Sequence, residues 1–441
     1  MHKPSLCIHI SLLLFTILMT QPFAQASDQI PAPPQKQPIA LVGGTIHTLE
    51  QDAIENGVLL FDQGKITAIG TDVTIPNDAQ QIDAAGKHIY PGLFAVNTKL
   101  GLVEIDAVDM SRDFRESGRF NPNLRVEAAF NPDSELIPVA RANGIALSHV
   151  VPAVYSGNAR ISGRTAIMYL DGWTWEDMMI APGGLAIDWS NLGINPENRD
   201  DSRQNRSDRL DELNQFFDQA EAYAEAHHES PSDIRLEAMQ PVINGELPVI
   251  IHANRIHNIR SAVQFALDRD VEIIISGGRD AWRIPDLLAE HEIPVIVEDI
   301  HTLSMRGWES YDTPFTLPNK LHDAGILFCI GFSEWSGHGS HMNTRNLPYE
   351  AATAVAYGLP HEEALKAITR YPAEIFGLED RLGTLAQGKD ATLIVCDGDP
   401  LEITTQVERM FIEGRDIDLS SRHTMLYDKY RKKYQQLEGS R

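Results

Sequence analysis

At 441 residues, 43% of them hydrophobic and with no low-complexity bulk, the chain is long enough for two or three domains around a sizeable core. Its formal charge of −25 argues against nucleic acid or an anionic membrane as a partner, because holding polyphosphate needs a basic footprint. A soluble protein that meets a small-molecule substrate or ligand is the class left standing, and an oligomer is compatible with it.

Residues 1–26 read as targeting sequence. Lys3 gives a small basic start, Leu6 to Met19 an apolar core and Ala24-Gln25-Ala26 a cleavage site of small residues. This signal peptide predicts export, to a periplasm or outside the cell, with no membrane association after cleavage. A Pro/Gln-rich linker follows at 27–38. Short strands with turn signals between them are then expected at Ile39–Val42, Gly57–Phe61, Lys65–Ile69 and Gln81–Asp83, with Asp62-Gln63-Gly64 as a hairpin turn. Strand patterns of this kind return only after Gly383, at Ala391–Cys396 and Val407–Ile412. Residues 39–90 and 380–419 are therefore expected to build one small β-sandwich from both ends of the chain, with residues 420–441 as a C-terminal tail helix.

Residues 91–379 carry eight apolar strand candidates: Leu93–Val96, Ile145–Val151, Ala166–Leu170, Leu185–Trp189, Pro248–His252, Glu272–Ser276, Pro294–Val297 and Ile326–Gly331. Eight strands with amphipathic helices between the later ones, such as Ile259–Asp268 and Ile284–His291, predict a (β/α)8 TIM-type barrel of the α/β class inserted into the sandwich. Thr165–Asp177 also reads as a loop hairpin, which leaves the third and fourth strands open. The acidic stretch Arg209–His227 reads as a solvated surface helix. Cys329 and Cys396 sit inside apolar runs, where a thiol packs as a small hydrophobe.

Val42-Gly-Gly-Thr-Ile-His47, Lys65-Ile-Thr-Ala-Ile69, Tyr90-Pro-Gly-Leu93 and Leu382-Gly-Thr-Leu-Ala-Gln-Gly-Lys-Asp-Ala-Thr-Leu-Ile394 together resemble the amidohydrolase superfamily, in its imidazolonepropionase-like branch. Phe120-Asn-Pro-Asn123 and Leu170-Asp-Gly-Trp-Thr-Trp-Glu-Asp177 resemble the same branch. The resemblance implies a hydrolase of non-peptide carbon–nitrogen bonds in a small amide. It also implies a divalent metal, zinc foremost, held by a His-x-His pair on the first barrel strand, histidines after strands five and six, and an Asp after strand eight.

At those positions the chain reads Asn97-Thr98-Lys99, His252, Ser276 and Ser333, so only His252 survives as a ligand. An ammonium about 4 Å from a divalent ion would be repelled by roughly 8 kcal/mol at an effective dielectric near 20, which makes Lys99 adverse to the usual centre. Three arrangements stay open. The centre moves to a Gly-rich loop where Glu334, His338 and His341 carry donors, with Glu298 and His301 on the same rim, leaving an altered or single-metal site. Alternatively Lys99 acts as base or imine-forming nucleophile, with Asn97 and Glu104 orienting substrate, or simply pairs with Glu104 or Asp106. Or the chain is a metal-free pseudoenzyme whose mouth binds a small ligand or partner subunit through loop residues such as Trp173, Trp335, Arg255 and Arg345. Ser333, which stands in for the expected Asp, needs a partner to act as a base.

Overall fold

The computed structural model describes residues 29–153, 160–189, 199–226, 232–333 and 340–438. Residues 1–26, where a targeting segment is expected, lie outside them. No helix among the described residues is long and apolar enough to cross a membrane.

Both ends of the chain meet in one sheet. Its strands are β1 (Ile39–Ile46), β2 (Ile54–Asp62), β3 (Lys65–Gly70), β4 (Gln80–Asp83) and β5 (His88–Pro91) from the front. From the back come β14 (Leu393–Cys396), β15 (Val407–Ile412) and β16 (Arg415–Asp416). The order is β16-β15-β14-β5-β1-β2-β3, with β4 also paired to β1. The seam between front and back is the antiparallel pair β5 and β14, where Leu393 faces Pro91 and Cys396 faces His88. Leu41, Leu59, Phe61, Ile89, Leu393 and Phe411 form the core of this sheet, and Phe61 and Phe411 meet edge to face at 5.0 Å. Burial at that seam supplies what the short strands cannot hold alone.

The barrel strands are β6 (Leu93–Thr98), β7 (Ile145–Val150), β8 (Ile161–Tyr169), β9 (Met179–Asp188), β10 (Val249–Ala253), β11 (Ile273–Gly277), β12 (Val295–Glu298) and β13 (Phe328–Gly331), closed in a ring by pairing of β13 with β6. Near-continuous apolar runs such as Leu93 to Val96 are buried on both sides, as a closed barrel requires. Helices of six or more residues around these sheets are α1 (Leu136–Arg141), α2 (Arg199–Ala226), α3 (Ile234–Ile243), α4 (Ile256–Arg269), α5 (Pro285–Glu290), α6 (Thr313–Asp323), α7 (Leu347–Ala356), α8 (His361–Lys366), α9 (Arg370–Ile375) and α10 (Arg422–Glu438).

Two features depart from expectation. Strand β8 runs antiparallel to both neighbours, Leu147 opposite Tyr169 on one side and Ile161 opposite Ile187 on the other. The segment after β8 therefore emerges at the N-terminal end of the other strands and returns as a hairpin into β9. Helix α2 is not solvated all round either. Leu213, Phe216, Phe217 and Ala220 are buried, and Phe217 meets Phe265 of α4 edge to face at 5.1 Å. Phe120 stacks on Phe216 at 4.6 Å from the other side.

Cys329 and Cys396 are buried free thiols, and burial pushes both well above the ordinary thiol range, so neither is a reactive thiolate.

Candidate functional site

The parallel strands deliver their last residues to one end of the barrel, the end where this architecture does its chemistry. Asn97, His252, Ser276 and Glu298 end β6, β10, β11 and β12 there, all buried. They form one hydrogen-bonded knot. Asn97 Nδ2 donates to Ser276 Oγ (2.9 Å) and Glu298 Oε1 (3.3 Å), and Ser276 Oγ donates to the same carboxylate oxygen at 2.5 Å. His252 Nδ1 lies 3.1 Å from Glu298 Oε1, while its Nε2 lies 3.2 Å from Asn254 Nδ2. An amide NH2 can only donate, so Nε2 accepts and Nδ1 carries the proton that faces Glu298.

Asn97 has φ +57, in the left-handed region that Asn tolerates better than most side chains. Its backbone N–H reaches His149 Nδ1 at 3.4 Å, and its Oδ1 is buried without a donor. His149 is fully buried and lies 4.4 Å from the Phe376 ring, and burial holds its imidazole down at about 3, so it stays neutral. Gly183 makes room for it, since a Cβ there would fall 2.8 Å from His149 Nε2.

Asp299 follows directly on β12 with φ +39, and its Oδ1 accepts the backbone N–H of Ser333 at 3.0 Å. Burial, with Glu298 and Glu350 adding negative charge nearby, pushes its carboxyl up to about 7. Beside it, His301 Nδ1 sits 3.0 Å from Glu350 Oε1, a contact that raises the imidazole above its ordinary value. On the next part of the rim Asp188 ends β9, buried, with the buried Arg160 close enough to feel its charge.

Of the expected site residues, the fold brings Asn97, His252 and Ser333 to this end. Glu334, Trp335 and His338 lie outside the described residues. The Lys99 ammonium lies 4.4 Å over the Phe114 ring. Glu104 accepts from Asn131 Nδ2 at 3.1 Å, in a loop contact, and burial raises its carboxyl. His341 is buried near Lys99 and Asp106, with its imidazole lowered by burial and its Nε2 unpartnered. Arg255 is exposed at the start of α4. Arg345 faces His423 of α10 at 3.2 Å, outside the knot. Trp173 is exposed on the β8–β9 hairpin, which the reversed β8 carries to the opposite end of the barrel, so it does not line the mouth.

The donor chemistry here does not fit a divalent-metal centre. Of the positions that would hold the ion only His252 offers a strong ligand, and both its ring nitrogens already have partners. Glu298 spends one oxygen on three donors, and no group of three His, Cys, Asp or Glu side chains converges among the described residues.

Sequence reasoning missed Asp299, His149, Asp188 and Arg160. Their position at strand ends was available, but the burial that tunes Asp299 and His149 comes from distant elements.

The amidohydrolase family matches residues 246–416. The chain is similar to the amidohydrolase tasK of Hapsidospora irregularis, 21% identical over 394 residues, which are 81% of this chain and 39% of that relative. It thus spans about two fifths of that relative's length. It is also similar to the imidazolonepropionase of Thermoplasma volcanium, 24% identical over 385 residues, 81% of this chain and 89% of that one. Among solved structures, an amidohydrolase from Thermotoga maritima MSB8 superposes with a TM-score of 0.77 at 26% identity, over 86% of this chain and 99% of the other. With its barrel inserted between two halves of one sheet and these likenesses running through most of its length, the chain is similar to the amidohydrolase superfamily, and to its imidazolonepropionase-like branch in particular.

Proposed function

We propose that the chain hydrolyses a non-peptide carbon–nitrogen bond of a small amide at the barrel mouth, with Asp299 rather than metal-bound water handling the proton. The observation that supports this is the Asp299 carboxyl itself, at the end of β12, raised to about 7 and fixed by the Ser333 N–H. A carboxyl poised near neutrality suits general acid and base work. Its carboxylate takes a proton from water as the water oxygen bonds to the carbonyl carbon, and returns that proton to the nitrogen as the C–N bond breaks. Asn97 Oδ1, buried with no donor of its own, is an acceptor for a substrate N–H. Relatives named as amidohydrolase and imidazolonepropionase support the reaction class.

A second reading has its own support. The hydrogen-bonded knot around Glu298 occupies the place of the missing ligands, as expected of a pseudoenzyme that binds a small ligand without turnover. A panel of small cyclic and linear amides, assayed for released amine with wild type and Asp299→Asn, separates the two. Turnover that disappears in the variant supports the hydrolase. No turnover, with one panel member bound in calorimetry, supports the binder. Export through residues 1–26 belongs to the same proposal, and N-terminal sequencing that begins at Ser27 in protein recovered outside the cytoplasm tests it.

A further inference from the structure

Helix α10 carries an aromatic stripe that the other described residues leave uncovered. Leu426, Tyr427, Tyr430 and Tyr434 recur at helical spacing on one side, and no residue of the helix is buried. Its first turn meets the body through His423 and Arg345 (3.2 Å). Cations edge the stripe: Arg431 lies over Tyr427 at 5.4 Å, and Lys433 within 5.9 Å of both Tyr430 and Tyr434. Between Arg422 and Glu438 there are five basic and two acidic residues, in a chain whose net charge is −25. Helices draw most of their stability from packing an apolar face, so an uncovered stripe of this kind asks for a partner.

At the N-terminal end of β10 to β13, opposite the mouth, lies a cavity of about 720 Å³. Val263, Ile274, Ile293 and Phe376 contribute its apolar floor. Its rim is acidic, with exposed Glu246, Asp270, Glu272 and Glu292.

We propose that α10 of one copy docks its aromatic stripe into this cavity of a second copy, and the second copy returns its own α10, closing a two-fold dimer. The choice of occupant rests on charge. Two α10 helices side by side would set like charges together, whereas Arg431 and Lys433 complement the carboxylates around the cavity. The tyrosines fill the apolar floor, and reciprocal exchange leaves no open stripe to extend the assembly.

Light scattering after size exclusion tests this on the full chain. The wild type runs as a dimer that weakens between 50 mM and 500 mM salt. Glu272→Lys with Glu292→Lys, both at the cavity rim, raises the dimer dissociation constant about a hundredfold, and so does Arg431→Glu with Lys433→Glu on the helix. Mixing the two charge-reversed proteins restores the dimer, because each reversed helix then meets a reversed cavity. Unchanged melting temperatures show that both variants fold. A monomeric wild type overturns the proposal, as does a dimer that survives both reversals or a mixture that stays monomeric. Binding of a monomeric wild type to phosphatidylglycerol vesicles would assign the stripe to an anionic membrane surface and overturn it equally.

Discussion

The two ends of the barrel bury carboxylates in opposite ways. At the far end Asp171 is gripped by Arg141 (2.7 Å) and Arg415 (2.8 Å), and Asp390 by Arg381 (3.0 Å), Lys65 and the Tyr169 hydroxyl (2.7 Å). At the mouth Glu298 and Asp299 are held by neutral donors: an amide, a hydroxyl, an imidazole and a backbone N–H. One loop outward, Asp280 returns to the first pattern, paired with Arg306 at 2.5 Å. A guanidinium fixes a carboxylate in its charged form and ties elements together, which is a structural use. Neutral donors leave the proton affinity free to move, and where burial dominates, as at Asp299, it rises toward neutrality. The contrast separates the mouth from the joint with the sheet.

The largest effect is expected at Asp299. If this carboxyl moves the proton, Asp299→Asn lowers kcat by about 10²–10⁴-fold on whichever amide the panel identifies, with KM little changed. Its stability moves the other way. Folding raises this carboxyl's proton affinity, so its contribution is present below the ordinary carboxylate range and is lost as pH rises through about 7. At pH 8 the variant should therefore match or exceed wild type, by as much as about 4 kcal/mol, and the gain should vanish near pH 4. A variant less stable at pH 8 than at pH 4, relative to wild type, would break the contrast.

The far end predicts the reverse pattern. Asp171→Ala strands the buried Arg141 guanidinium and should cost about 3–5 kcal/mol in urea unfolding.

The strand positions were legible in the sequence because apolar runs such as Leu93 to Val96 and Val249 to Ile251 record burial directly. The direction of β8 was not, since an apolar run reads the same in either sense, and Trp173 was assigned to the mouth for that reason. His252 and Asn97 could be placed by strand-end position. Asp299 shares that position, but what perturbs it could not be read, because its neighbour Glu350 and the Ser333 N–H arrive from α7 and from beyond β13. The β5 strand, only His88–Pro91, was hidden because its partner β14 lies some three hundred residues later. The buried face of α2 was missed since Leu213, Phe216 and Phe217 are diluted by the acids around them.

His149 sharpens the comparison at acid pH. Folding lowers its proton affinity from 6.5 to about 3, so its contribution is full above 6.5 and is lost as pH falls toward 3. Wild type should lose about 1.4 kcal/mol per pH unit from this group across that window. In His149→Asn, whose side-chain oxygen can still accept the Asn97 N–H, melting followed from pH 7 to pH 4 should show a shallower decline. The smallest effect belongs to Trp173, on the hairpin away from the mouth. Trp173→Ala should alter stability by less than about 0.5 kcal/mol and leave KM unchanged.

The central claim is that the mouth works without the family's metal, and elemental analysis of the chain purified without chelator addresses it most directly. Zinc, iron and manganese should each fall well below one equivalent, with the same melting temperature after chelator treatment. One tightly held equivalent per chain that disappears in His252→Ala would contradict the claim.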